Sequence, residues 1–489
     1  MNLPDSGNIV DVRECVAIVS GLGDAGVGSI VAISSTSHEN CHVEWYGVVM
    51  YMGKRSAHIA LIPAVWNKCS GAKRVPVSIG MEANVVPGQF VLILPENGSV
   101  HFVSDLIRAP ENSQKDTSVS TSLPFFMGSK CVPSFMSRRP LHTPFRTGVL
   151  AIDCFQPLAC GHRLGVFGPL HSGKSELMLE IIVNHVNECK ERGIQPPHFV
   201  YVCVGQNAHR IRRISKAFED ANVSMHTTIV ATSNYDALML QYLTPFIGCM
   251  VAERHKAPKT VVVYDDLAMH STITEQLIQL IELPRSALSI FDGVAILMER
   301  SGRFEVNGSE RSMTTFALAT SGRETAEMHE RLRSLVDDVV SIPNDVVLPG
   351  KSIRGAPFQI KGLWRWNQRV RARINSIARK AASMDEARQL GIEPEGSQIM
   401  EYQQFVREFF TQKAVLEKER ILLGVMFLAI VEMDRLPSPF RISSFLDKAM
   451  AALMHSDTLG KQLEVALAAG DWTTSLDQAL IAFLKQQIE

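Results

Sequence analysis

The run Gly168-Pro-Leu-His-Ser-Gly173-Lys174-Ser175 fits the pattern GxxxxGK[ST] without exception. Residue types at this spacing serve the holding of nucleotide phosphates. Small residues let successive backbone N–H groups face phosphate oxygens, and a helix starting near Lys174 turns its positive end to the same charge. In this reading Lys174 reaches the outer phosphates, Ser175 places its hydroxyl on Mg2+, and His171 and Ser172 belong to the turn around the phosphates. With glycine at about 7% of residues, a chance match in a chain of this length has odds of roughly two in a hundred. A second stretch, KTVVVYDDL, is an apolar strand that ends in Asp265 and Asp266. A carboxylate so placed typically supports the water shell of Mg2+, and Asp265 is the residue expected to do so.

Hydrolysis needs one more group, a base that orients and deprotonates the attacking water. A carboxylate accepts that proton and a primary amide does not. The natural place is the end of the strand after the loop's helix, in FVYVCVGQNAHRI, and it holds Gln206. The nearest acid further along is Glu219, well down the following helix. The residues therefore favour holding a nucleotide over turning it over. The alternative, that Gln206 satisfies a polar loop and a base comes from elsewhere, stays open from the residues alone.

These residues need elements to position them, and the chain supplies three kinds in succession. From Ile9 to Leu94 short β-rich runs are broken by Gly, Pro and Asn, as in a small barrel or sandwich. Pro110 to Ser137 is Ser/Thr/Pro-rich and polar, which predicts a loop or linker. From Arg146 to Val370 amphipathic helices alternate with HRLGVFG, HFVYVCVG, TIVAT and KTVVVYDD. Such continuous apolar runs suit a parallel sheet covered on both faces. Beyond Val370 helical periodicity takes over, most clearly in Val406–Asp434 and Ser443–Gly470. The expected fold is thus an N-terminal β-barrel (1–95), a parallel-sheet P-loop domain (96–370) and a C-terminal helical bundle (371–489).

Composition narrows the class. Lys and Arg number 49 against 50 Asp and Glu in 489 residues, a net charge of −1, which argues against a nucleic-acid-coating surface. The N-terminal region also lacks the interleaved aromatic and basic residues expected of a single-strand-binding motor. Hydrophobic residues make up 46%, and the longest apolar run, Ile421–Val431, is too short to span a bilayer. The opening residues carry no basic flank leading to an apolar stretch, so no secretory or transit signal is expected. Nine scattered cysteines without a CxxC pair read as reduced thiols of a cytosol-like compartment.

Taken together, these residues resemble the alpha subunit of the rotary F-type ATP synthase. RRPLHTPFRTGVLAIDCFQPLACGHRLGVFG is similar to the family's segment before the phosphate loop, including its TG-x-x-AID-x-x-x-P landmark. YVCVGQ and VVVYDDL are close to the alpha versions, whereas catalytic beta subunits and export ATPases carry Gly-Glu-Arg at Gly205-Gln206. The resemblance implies binding of ATP or ADP with Mg2+ by Gly168, His171, Ser172, Gly173, Lys174, Ser175, Gln206 and Asp265. It implies alternation with catalytic beta-type subunits in a hetero-hexameric ring, a central rotor or stalk, and membrane association only through partners, on the cytoplasmic side. An ungapped alignment of GKSIRGAPFQIKGLWRW places Arg365 where the alpha subunit presents an arginine finger in trans, and Arg354 and Gln412 near the adenine pocket. Leu283–Asp292 replaces the family's rotor-facing loop, and a polar stretch replaces its usual link between barrel and nucleotide domain. The competing expectation is a self-sufficient ATPase of the secretion or flagellar export type, which would need a base other than Gln206.

Overall fold

The computed structural model describes most of residues 6–108, residues 120–122, and most of 132–352 and 442–488. The segments 282–291 and 353–441 lie outside the described residues. At the N-terminus β1 (Ser6–Arg13), β2 (Val16–Ser20), β3 (Ile30–Ser34), β4 (Val43–Met52), β5 (Ser56–Pro63) and β6 (Glu82–Val85) close into a barrel. Its strand order is β1-β2-β5-β4-β3-β6, with every neighbouring pair antiparallel. Alternate residues such as Val31 and Ile33, and Ile59 and Leu61, fill the interior. Gly47 is required by that packing, because a Cβ there would lie 2.3 Å from Ile59 Cγ2.

Four short strands follow: β7 (Val91–Ile93), β8 (Val100–Phe102), β9 (Ile107–Arg108) and β10 (Ser120–Ser122). β10 falls within the stretch expected to be loop. It pairs antiparallel with β7, which pairs with β9, so backbone hydrogen bonding makes a strand of Ser and Thr that carry no apolar signal. β11 (Pro144–Phe145) and β12 (Leu158–Ala159) form a two-stranded ribbon beside the phosphate loop in sequence.

The main sheet is built from β8 together with β13 (Arg163–Gly168), β14 (His198–Gln206), β15 (Thr227–Ser233), β16 (Lys259–Asp265), β17 (Gly302–Val306), β18 (Ser309–Thr320), β19 (Asp338–Ser341) and β20 (Leu348–Ser352). The order is β20-β19-β13-β18-β16-β14-β15-β8, with β17 paired to β18. Pairing is parallel along β18, β16, β14, β15 and β8, and antiparallel in the β17–β18 and β19–β20 hairpins. Every residue of β13 and β14 is buried, as continuous apolar runs predict for strands covered on both faces. The intervening helices are α1 (Lys174–Glu191), α2 (Ala208–Asp220), α3 (Leu238–Arg254), α4 (Leu267–Ile281), α5 (Asp292–Glu299) and α6 (Ala326–Leu335).

Among the described residues three helices follow: α7 (Ile442–Met454), α8 (Leu459–Ala469) and α9 (Thr474–Ile488). Ala449, Leu453, Leu463, Ala466, Leu480 and Leu484 are their buried residues, spaced as amphipathic helices require. The expected helical run Val406–Asp434 lies outside the described residues. The chain forms two compact units, Met1–Pro140 with Gly161–Gly165 and Val186–Val336, and Leu141–Cys160 with Val166–His185 and Asp337–Glu489.

Candidate nucleotide-binding site

The phosphate loop leaves β13 and enters α1, the strand–loop–helix context that its spacing requires. Two residues in the loop adopt positive φ, Gly173 at 80° and His171 at 61°. Left-handed residues two positions apart turn the chain sharply, the kind of backbone that makes a concave row of N–H groups for an anion. A Cβ on Gly168 would sit 2.3 Å from Ser172 Oγ and 3.1 Å from Ile342 O, so only glycine lets the loop fold back this closely. Ser172 is 5% exposed, and its Oγ has no hydrogen-bond partner among the described residues. Lys174 is also buried and donates from Nζ to Gly168 O at 3.1 Å and Pro169 O at 2.7 Å, which lays its charge across the loop's own mouth. A buried orphan hydroxyl, a lysine held over the turn and a helix N-terminus fit a bound triphosphate. Leu170 and His171 of the loop are exposed.

The TG-x-x-AID landmark acquires a physical reason. Asp153 accepts from Thr147 N at 2.9 Å, Thr147 Oγ1 at 2.7 Å and Gly148 N at 2.9 Å, locking the turn. Gly148 has a φ of 74°, and a Cβ there would lie 2.5 Å from Asn184 Nδ2 on α1. His185 of the same helix hydrogen-bonds Arg146 O through Nδ1 at 2.7 Å and stacks on Phe145. This segment thus fixes the loop's helix from its flank.

The strand ends on the other side of the reading form a second cluster. Gln206 is the last residue of β14, 8% exposed, and donates from Nε2 to Asp265 O at 3.4 Å. Its carbonyl accepts from Asn234 N at 3.3 Å. Gly205 before it has a φ of 56°, and a Cβ would meet Gln241 Oε1 at 2.6 Å. Asp265, 1% exposed at the end of β16, accepts the Tyr201 hydroxyl at 2.8 Å on Oδ2. Arg210 Nη2 spans both its oxygens, at 3.2 Å to Oδ1 and 3.1 Å to Oδ2. Asp266 accepts Ala268 N at 2.8 Å and Thr320 N at 3.1 Å, and also the Thr320 hydroxyl, which ties β16 to α4 and β18.

The electrostatics follow from this arrangement. Burial works against the charge on Arg210, but Asp265 beside it prevails and the guanidinium pKa is raised. Burial, and then Asp265, push the Cys203 thiol well above its ordinary range, so it stays protonated and inert. The Asp265 carboxylate, expected from sequence to support Mg2+, is engaged by Tyr201 and Arg210 inside the protein. That set does not fit a hydrated dication, which needs acceptor positions facing water.

The structure therefore brings Gly168, His171, Ser172, Gly173, Lys174 and Ser175 together in one loop, and Gln206 and Asp265 together in one hydrogen-bonded cluster. Arg354, Arg365 and Gln412 lie outside the described residues, as does most of the Leu283–Asp292 stretch. Sequence reasoning did not find Arg210, Tyr201 or Thr320. Only Asn207 before Ala-His-Arg-Ile hinted at a helix start, and its Oδ1 caps α2 by accepting His209 N at 2.9 Å. Among the described residues no helix is long and apolar enough to cross a membrane.

Comparison with known proteins finds relatives over the region that contains the loop. Residues 148–340 match the ATP synthase alpha/beta family, nucleotide-binding domain. The chain is 26% identical over 368 residues to the ATP synthase subunit alpha of Caldanaerobacter subterraneus subsp. tengcongensis, covering 69% of this chain and 71% of that relative. It is 24% identical over 361 residues to the same-named subunit of Dehalococcoides mccartyi, covering 72% and 66%. With that of Aquifex aeolicus it shares 29% identity over 235 residues, covering 46% and 45%. The chain thus spans from 45% to 71% of the length of these curated relatives.

Proposed function

We propose that the chain is a divergent alpha-type subunit of the ATP synthase family, whose nucleotide-binding domain residues 148–340 match, and that it holds ATP or ADP without hydrolysing it. The observation that carries this reading is the amide of Gln206. It stands buried at the end of β14, where a base for water would have to be, and it is spent on the backbone of Asp265. An amide at that position orients and bonds but accepts no proton. The loop residues Gly168, Ser172, Gly173 and Lys174 supply the phosphate cradle, and Ser175 is the hydroxyl that faces the outer phosphates and Mg2+.

In this reading the chain alternates with catalytic beta-type subunits in a hexameric ring around a central stalk, and reaches a membrane only through partners. Arg365 is the arginine it offers to the neighbouring catalytic site, where such a group stabilises charge on the transferring phosphoryl. Arg354 and Gln412 contribute to the adenine side. These three assignments rest on sequence resemblance alone.

The test is to purify the chain alone, mix it with Mg-ATP, and follow bound nucleotide and released phosphate in one sample. Retained ATP with negligible phosphate is the expected result. Sustained phosphate release would show that another base exists and would replace the holding role by the self-sufficient one. A failure to bind would reduce the loop to a structural element.

A further inference from the structure

We propose that the outer face of α2 and the turn after β15 form a docking site for an acidic segment of a second polypeptide, with Tyr235 as its aromatic anchor. The inference goes beyond the holding role above and does not depend on it.

The charges of α2 run against its own backbone field. His209 and Arg210 stand in its first turn, Arg212, Arg213 and Lys216 follow, and Glu219 and Asp220 occupy its last turn. A helix favours acids at its start and bases at its end. Arg212 and Lys216, four residues apart, add a like-charge pair that disfavours the helix further. Arg210 is accounted for by the buried Asp265 that it faces. The others have no such reason within the fold. His209, Arg212, Arg213 and Lys216 are exposed, and neither Arg212 nor Lys216 forms an ion pair among the described residues. Spaced by three and four, the four side chains make one basic stripe about 10 Å long.

The turn after β15 stands beside this stripe. Tyr235 is 91% exposed, more than any other large apolar or aromatic side chain among the described residues. The backbone beneath it is fixed. Asp236 Oδ2 accepts Ser233 N at 2.6 Å, Ser233 Oγ accepts Tyr235 N at 3.2 Å, and Gln241 Nε2 donates to Asp236 O at 2.7 Å. Asn234 N donates to the carbonyl of Gln206, the residue before the Asn207 cap, so the turn lies next to the start of α2. A tyrosine presented on an ordered turn loses little freedom when a partner covers it. Its ring packs on apolar groups and its hydroxyl donates to a carboxylate.

The extent of the stripe selects the partner. Glu219 and Asp220 are exposed at its far end. A nucleic acid or an anionic membrane, negative throughout, would meet like charge there. A segment with a few carboxylates over about 10 Å, the span of roughly three extended residues, matches the basic length and stops before the acids.

The probe is a short fluorescein-labelled peptide of alternating Glu and Leu, titrated with the full chain and followed by fluorescence anisotropy. Binding should weaken as salt is raised. Arg212→Glu combined with Lys216→Glu should weaken it about tenfold or more, and Tyr235→Ala about tenfold, with the thermal midpoint unchanged. The same reversal of Arg331 and Arg333, exposed on α6, should leave it as in wild type. No binding of the peptide by the wild-type chain, or equal loss from both pairs of reversals, would overturn the proposal. Tighter binding of a uridine oligonucleotide through the same stripe would also overturn it, in favour of a nucleic acid. Retention of ATP is measured on the same samples. ATP held by a chain that ignores the peptide leaves the holding role standing, and peptide binding without ATP removes that role alone.

Discussion

His198 shows what one residue contributes and at what pH. It is 3% exposed at the start of β14, bonds Thr228 Oγ1 through Nε2 at 2.9 Å, and stacks flat on His255 at 3.7 Å. Burial first, and then the neighbouring His255 and His226, hold its pKa down to about 3. The unfolded chain has an imidazole pKa of about 6.5. Between these values the unfolded state binds a proton that the folded state refuses. The contribution is therefore complete above pH about 6.5 and is lost as pH falls toward 3, with a slope of up to about 1.4 kcal/mol per pH unit. Urea midpoints measured from pH 7 down to 5 should fall, and His198→Gln should flatten that slope. An identical slope in the variant would assign the acid sensitivity elsewhere. Burial also lowers the pKa of His255, with Arg311 and Lys256 adding to it, so both partners in the stack favour the neutral form.

At the scale of elements, α2 carries the most consequence for its length. Its cap bond from Asn207 is worth about 1 kcal/mol in a typical helix. Asn207→Ala should lower the thermal midpoint accordingly. It should also weaken the Arg210–Asp265 pair, which a rise in protease sensitivity around 208–220 would report; no change in either would show that the helix is set by packing alone. Much of this region was legible in the sequence. Apolar runs gave β13, β14, β15 and β16, and the loop motif fixed the junction of β13 with α1, because both signals are local. Arg210 was not legible, since 55 residues separate it from Asp265 and only the parallel pairing of β14 with β16 brings them together. β18 begins with the exposed residues Ser309 and Glu310 and turns apolar only later, so its full length was hidden. β10 was hidden because backbone pairing leaves no mark on side-chain pattern.

Over the whole molecule, the order of barrel, parallel sheet and helices follows the order in which hydrophobic periodicity changes along the chain. The barrel closes without free edges, which removes one route to unwanted strand pairing. Near-balanced charge leaves little long-range field, so association with any partner would depend on shape and local groups rather than steering. The burial of β14 has a consequence in time. All nine of its residues are covered, and β15 and β16 flank it on either side. Its amides can meet heavy water only when the surrounding unit opens as a whole. In a deuterium-labelling experiment read by mass spectrometry, peptides from 198–206 should be the last of their unit to gain mass. Early uptake there would mean that the sheet comes apart strand by strand. If the uptake is late, the strand that ends in Gln206 serves as an internal clock for the opening of its unit.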